Sequence, residues 1–224
     1  MTRLTIIKQW IQIAFGLFVF SFGVHLEIFA DIGLAPWDCL AMGMSFHTPF
    51  NYGNCVTIVA VVILIIDILM KEHIGFGTIF DAFLCGPYIQ FFNDYNPLPK
   101  EHSTIAGVFI MLLGFVFVAI GMWIYMSGCQ GCGPRDAFFV GVGKRLPKVP
   151  IGAVQIIVQI AVLVIGYFLG GPVGIGTIIA TFGIGTAMQI VYSIIKFEPR
   201  DIVHKDFFEI LRLFVKGTGK NEDQ

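Results

Sequence analysis

The sequence predicts an all-α integral membrane protein made of two inverted repeats. Each repeat holds three transmembrane helices and one short re-entrant helix, and a cytoplasmic amphipathic C-terminal helix follows. Three observations predict this. The chain is 56% hydrophobic and 13% charged, with a mean hydropathy of +0.82, whereas soluble domains are about half apolar and about a quarter charged. The chain repeats itself. And one apolar segment in each repeat is too short to cross a bilayer.

The repeat is read by matching residues. Gly33-Leu34-Ala35-Pro36-Trp37-Asp38 aligns with Gly131-Cys132-Gly133-Pro134-Arg135-Asp136 at an offset of 98. The same offset pairs Gly16 with Gly114, Gly23 with Gly121, Gly43 with Gly141 and Pro49 with Pro147. After one inserted residue the offset becomes 99, pairing Gly53 with Gly152 and Gly86 with Gly185. It also pairs Gly75-Phe76-Gly77-Thr78-Ile79 with Gly174-Ile175-Gly176-Thr177-Ile178, and Gln90 with Gln189. Residues 1–98 and 99–196 form the two units, and 197–224 the tail.

Each unit carries four apolar segments. In the first they are Trp10–Ala30, Pro36–Phe46, Cys55–Met70 and Gly75–Phe92. In the second they are Thr104–Ser127, Pro134–Gly143, Ile151–Leu169 and Ile175–Ile195. Arg3 and Lys8 before the first run mimic a signal peptide, but the run continues without a small-residue cleavage site and reads as a retained span. The run from Val56 to Ile66 is rich in β-branched residues. In lipid its backbone must satisfy itself, so it is expected to be a helix. A span needs about 20 apolar residues, and the second segment of each unit has about half that. Both open with Pro-x-Asp: proline suits the first helical position, and an acid in the first turn suits the positive helix N-terminus. An odd number of spans per unit inverts the second copy.

Charge sets the orientation. With the N-terminus inside and six spans, every Lys and Arg except Lys100 falls on the cytoplasmic side. Eight spans would place Lys71 and Arg135 outside and Lys100 inside, which is almost as good. Segment length favours six. The expected location is the cell membrane, with both termini cytoplasmic. In the tail, Val203, Phe207, Ile210, Leu211 and Phe214 recur at helical spacing among Lys205, Glu209, Arg212 and Lys216, a surface-lying amphipathic pattern.

The residues that carry chemistry cluster at the short segments. Trp37, Asp38, Arg135 and Asp136 lie at helix N-termini that an inverted repeat would bring together near the midplane. Two positive dipole ends there suit an anion or a polar headgroup. Gln90 and Gln189, one per unit, are further candidate substrate-binding residues. Asp81 is the candidate proton-coupling carboxylate, since ionisable groups at membrane depth are costly. Glu27 and Asp67 lie near span ends, within reach of the interface. His25 reads as a hydrogen-bonded core residue. Gln155 and Gln159 share one helix face turned to the protein interior. The glycines that frame the short segments read as close helix packing rather than hinges. Cys129-Gln130-Gly131-Cys132 has redox spacing, but no second Cys/His pair completes a metal site. No nucleotide, protease or hydrolase motif is present, and no enzyme, cofactor or metal is expected. The net charge of −1 argues against nucleic acid. The expected partners are the lipid bilayer and a small solute, with homo-oligomerisation left open.

At Gly33–Asp38, Gly75-x-Gly77-Thr78, Gly131–Asp136 and Gly174-x-Gly176-Thr177 the chain resembles the YczE/YyaS/YitT-type family of bacterial multi-pass membrane proteins. The resemblance covers nearly all of residues 10–195 and departs from the family at Cys129 and Cys132. It implies a bacterial inner-membrane location and this topology, and it carries over no substrate and no catalytic residue. The expected function is a small-solute permease or exporter binding its substrate where the two Pro-x-Asp helices meet. The alternative is a non-transporting accessory or regulatory protein.

Overall fold

The computed structural model describes residues 3–95 and 103–197, and their regular structure is entirely helical. The first four helices are α1 (Arg3–Phe29), α2 (Pro36–His47), α3 (Tyr52–Leu69) and α4 (Phe76–Asp94). The next four are α5 (Thr104–Met126), α6 (Pro134–Arg145), α7 (Ile151–Phe168) and α8 (Ile175–Ile195). Every apolar segment read from the sequence is a helix, and α1 starts earlier than expected, at Arg3. The amphipathic pattern of the tail lies wholly outside the described residues, which end at Phe197.

Local signals account for the helix starts. The Asn51 side chain accepts from the Asn54 N–H at 2.8 Å, and Ser103 accepts from Ala106 at 3.3 Å. Proline stands at the first position of α2 and of α6. Helices α1, α3, α5 and α8 are long and apolar enough to cross a bilayer. In α7 the apolar stretch Gly152–Phe168 is shorter, and α4 carries Asp81, Gln90, Asn93 and Asp94. At 12 residues each, α2 and α6 are about 18 Å long at about 1.5 Å per residue, against a hydrocarbon thickness of about 30 Å.

The centre of the molecule is the crossing of α1 and α5. It is built on absent side chains. A methyl group on Gly23 would stand 2.7 Å from the Gly114 carbonyl oxygen, and one on Gly114 would stand 2.8 Å from that of Gly23. Gly16 and Gly121 face each other in the same reciprocal way, at 2.9 and 2.7 Å. Around this pair, α4 packs on α1 and α8 packs on α5. The short α2 lies on α7, and α6 lies on α3. Apolar side chains of α7 and α8, among them Ile157, Ile165, Phe168, Ile178, Ile190 and Ile194, point outward, as a lipid-facing surface requires.

Two loops clasp the helices together. Gly33 and Gly131 adopt φ of +113° and +111°, values open to glycine alone at no steric cost. Just before them, the Ile32 carbonyl accepts from the Gly176 N–H and the Gln130 carbonyl accepts from the Gly77 N–H, both at 2.7 Å. These N–H groups are orphan donors in the first turns of α8 and α4. Gln130, fully buried, is fixed by Trp10 Nε1 donating at 2.9 Å and by its own Nε2 donating to Gln9 at 2.8 Å.

Two expectations fail. Glu27 and Asp67 do not reach an interface: their exposures are 3% and 0%. The end of α1 is covered by α5, where Gly114 leaves room against the Glu27 side chain. Both carboxylate oxygens of Asp67 lack a hydrogen-bond partner among the described residues. His25, as expected, is buried and hydrogen-bonded, to Asn93 at 2.6 Å.

Overpacking a filled contact typically costs about 1–3 kcal/mol. Gly121→Ala would drive a methyl into the Phe20 backbone and is expected to lose stability on that scale. Gly185→Ala enters open space and is expected to be neutral. Thermal unfolding of both variants in detergent checks this contrast.

Candidate functional site

The starts of α2 and α6 have the same backbone form. Their N-caps, Ala35 and Gly133, sit at φ −59° with ψ of 153° and 156°, and proline follows each. Asp38 and Asp136 are the third residues of their helices, yet neither makes a capping hydrogen bond. Asp38 instead accepts from the Tyr52 hydroxyl at 2.8 Å. Arg135 reaches across to Asp38 at 4.0 Å and lies over the Trp37 ring at 5.4 Å from its centroid. The two Pro-x-Asp motifs therefore meet, and the guanidinium of one is held by the carboxylate and the indole of the other.

They meet at a cavity of about 650 Å³, within the size range of small-molecule sites, about 300–1,000 Å³. Of the residues singled out from the sequence, Trp37, Asp38, Arg135, Asp136, Asp81 and Gln189 line it. Asp81 reaches it from α4 and lies against the start of α6, where a methyl on Gly133 would stand 2.7 Å from its Oδ2. Gln155 and Gln159 line it from α7, in agreement with their shared interior face. Gln90 does not line it: its Oε1 accepts from the Gly53 N–H at 3.1 Å and its Nε2 donates to Asp94 at 2.7 Å.

Sequence reasoning missed three site residues. Glu27 lines the cavity from α1, and its nearness to the span end in the chain hid that. Tyr52 and Tyr125 each hold one motif, Tyr125 by accepting from the Gly133 N–H at 3.1 Å. An aromatic residue with a polar tip in an apolar span is a weak signal, since the ring alone explains its burial. The indole N–H of Trp37 is buried with no acceptor among the described residues. Cys129 and Cys132 are unbridged, and the loop between them serves the Gln130 clasp. Among the described residues, no group of His, Cys, Asp and Glu is placed to hold a metal ion.

The two units differ around the cavity. Gly53 and Gly86 bring α3 and α4 into backbone contact, and a methyl on Gly53 would lie 2.5 Å from the Gly86 carbonyl oxygen. Gly152 and Gly185, at the matching positions of α7 and α8, meet nothing within 4 Å. Both of these line the cavity, together with Gln189, the match of Gln90. The cavity thus opens between α7 and α8, where its counterpart between α3 and α4 is shut.

Removing one partner from a buried polar contact costs about 1–3 kcal/mol. Asp38 is buried, while the Arg135 side chain keeps 29% of its exposure, so the loss is expected to fall short of the roughly 3–5 kcal/mol of a fully buried pair. Arg135→Gln and Asp38→Asn are each expected to destabilise on the 1–3 kcal/mol scale. The double variant is expected to recover at least half of the larger loss. Detergent melting temperatures of the two single variants and the double variant measure the coupling.

Three curated relatives match most of the chain. An uncharacterized protein of Haemophilus influenzae is 25% identical over 181 residues, covering 81% of this chain and 82% of its own. The uncharacterized membrane protein YczE of Bacillus subtilis is 25% identical over 186 residues, covering 82% and 85%. The uncharacterized protein YyaS of the same organism is 24% identical over 192 residues, covering 84% and 94%. No solved structure matches the chain. The model of a family of unknown function, DUF6198, matches residues 7–193, and with the motif-bearing loops and both short helices inside that match, the chain belongs to this family of membrane proteins.

Proposed function

We propose that the protein is a cell-membrane permease or exporter of a small solute, working by alternating access between two inverted units. Six spans with both termini cytoplasmic, and α2 and α6 as re-entrant helices, complete this reading. The observation that carries it is the unequal state of two matching contacts. Gly53–Gly86 is shut, with Gln90 bonded across it, while Gly152–Gly185 is open onto the cavity. In an inverted-repeat transporter one unit rocks or gates against the other, so that a fixed central site opens first to one face and then to the other. The second state is then one in which α7 closes on α8 and α3 parts from α4. The Gln189 side chain takes the Gly152 N–H as Gln90 now takes that of Gly53. With Lys71 cytoplasmic, the mouth between α7 and α8 faces the cytoplasm and the shut contact faces outward.

Cysteines at the open mouth test this. Gly152→Cys and Gly185→Cys both enter free space, so the fold is expected to tolerate them in a cysteine-free background. If the mouth closes during a transport cycle, mild oxidation in membrane vesicles is expected to link the pair, and reduction to release it. A static accessory protein would leave the two cysteines apart. A pair that stays unlinked under all oxidation conditions, with both thiols reactive, overturns the permease reading.

A further inference from the structure

We infer that the cavity takes an amphipathic organic cation and exchanges it for protons. This rests on the permease reading and names the substrate class of the same site.

The charges lining the cavity are unequal. Glu27, Asp38, Asp81 and Asp136 face it as carboxylates, and among the described residues Arg135 is the sole fixed cation in the lining. The N-termini of α2 and α6 add about half a positive charge each. Together with Arg135 these sources offset about two of the four carboxylates. Asp38 is provided for, by Tyr52, Arg135 and the start of α2. Glu27, Asp81 and Asp136 make no side-chain hydrogen bond among the described residues, and Glu27 is 3% exposed. Carboxylates at this depth hold protons or a cation, because bare charge is too costly there. An anion would add to the imbalance, which sets aside the anion or headgroup expected from the helix N-termini alone.

The remaining described residues do not supply the missing charge. Among the described residues the other titratable groups near these carboxylates are Cys39, Tyr52, Cys85, Tyr125, Cys132 and Tyr192, none of which is cationic when protonated. The residues that α7 and α8 contribute to the lining, Gln155, Gln159 and Gln189 among them, carry no charge. The positive charge that balances the site therefore comes from solution.

A second observation points to a guest with an organic body. Trp37 lines the cavity with its ring edge, 9% exposed, and its N–H has no acceptor among the described residues. Phe20, Phe139, Phe182 and Val24 supply apolar wall, and a volume of about 650 Å³ far exceeds a bare metal ion or ammonium. Arg135 over Trp37 already shows the seat in use: a delocalised cation on an aromatic face beside a carboxylate. In the exchange, one cation enters and one proton leaves a carboxylate for water, so charge in the cavity is conserved.

A pair of esters of equal shape tests this. Benzoylcholine carries a fixed positive nitrogen and an ester oxygen. In 3,3-dimethylbutyl benzoate a neutral carbon replaces the nitrogen. The purified full chain in detergent at pH 8 is expected to gain melting temperature with benzoylcholine and none with the neutral ester. In weak buffer, a pH dye is expected to report acidification as benzoylcholine binds. Since its charge cannot titrate, those protons come from the protein. Affinity is expected to weaken up to about tenfold per pH unit lowered, the limit for one exchanged proton. Asp81→Asn is expected to lessen the acidification. Equal response to both esters, no response to benzoylcholine, or binding without proton release each overturns the inference. The oxidation test at Gly152 and Gly185 needs no ligand. A link there with no cation response removes the cation and keeps the permease; no link removes both.

Discussion

Lipid tails are as apolar as the side chains they touch, so no hydrophobic force draws membrane helices together, and close packing must do it. In this protein the constraint is met at one crossing. Gly16, Gly23, Gly114 and Gly121 let the backbones of α1 and α5 touch, and α4 and α8 pack directly on that pair. With α1 and α5 this close, α4 packs on α1 and α8 on α5, while the short α2 rests on α7 and α3 and the short α6 on α3 and α7. A cavity then remains where the N-termini of α2 and α6 face each other. Bulkier residues at the crossing would move those N-termini apart and separate Arg135 from Asp38.

The site is an arrangement of costs that offset one another. Arg135 at a helix start opposes the dipole by a few tenths to about 1 kcal/mol. It recovers that through Asp38 and the face of Trp37. Asp38 in turn is held by Tyr52 from α3. The excess of carboxylates over cations is left to the solution side of the cavity, and on the proposed reading that excess is the means of selecting what enters.

Much of the fold was legible because membrane helices follow from length and apolarity, and because glycines recur at fixed offsets where backbones meet. The two helix starts at Pro-x-Asp were legible too, since proline and an acid in the first turn both point to a helix start. Glu27 was not legible. Its distance from the span end is a one-dimensional measure, and what buries it is Gly114, eighty-seven residues away in the chain. Gln90 misled for the opposite reason: a matched pair of amides invites equal roles, yet one closes a helix contact while the other faces the cavity. No pattern in a sequence reports that two matching positions occupy different states at once.

The reciprocal loop clasps also bear on how the chain is made. The first turn of α4 is completed by the carbonyl of Gln130, and that of α8 by the carbonyl of Ile32. Neither unit finishes its own last helix. When the ribosome has delivered residues 1–98 to the membrane, the Gly77 N–H still waits for a partner that has not been synthesised. Each half of the chain thus leaves one helix-start N–H for the other to satisfy, and halves expressed as separate chains are expected to need each other to complete both helices.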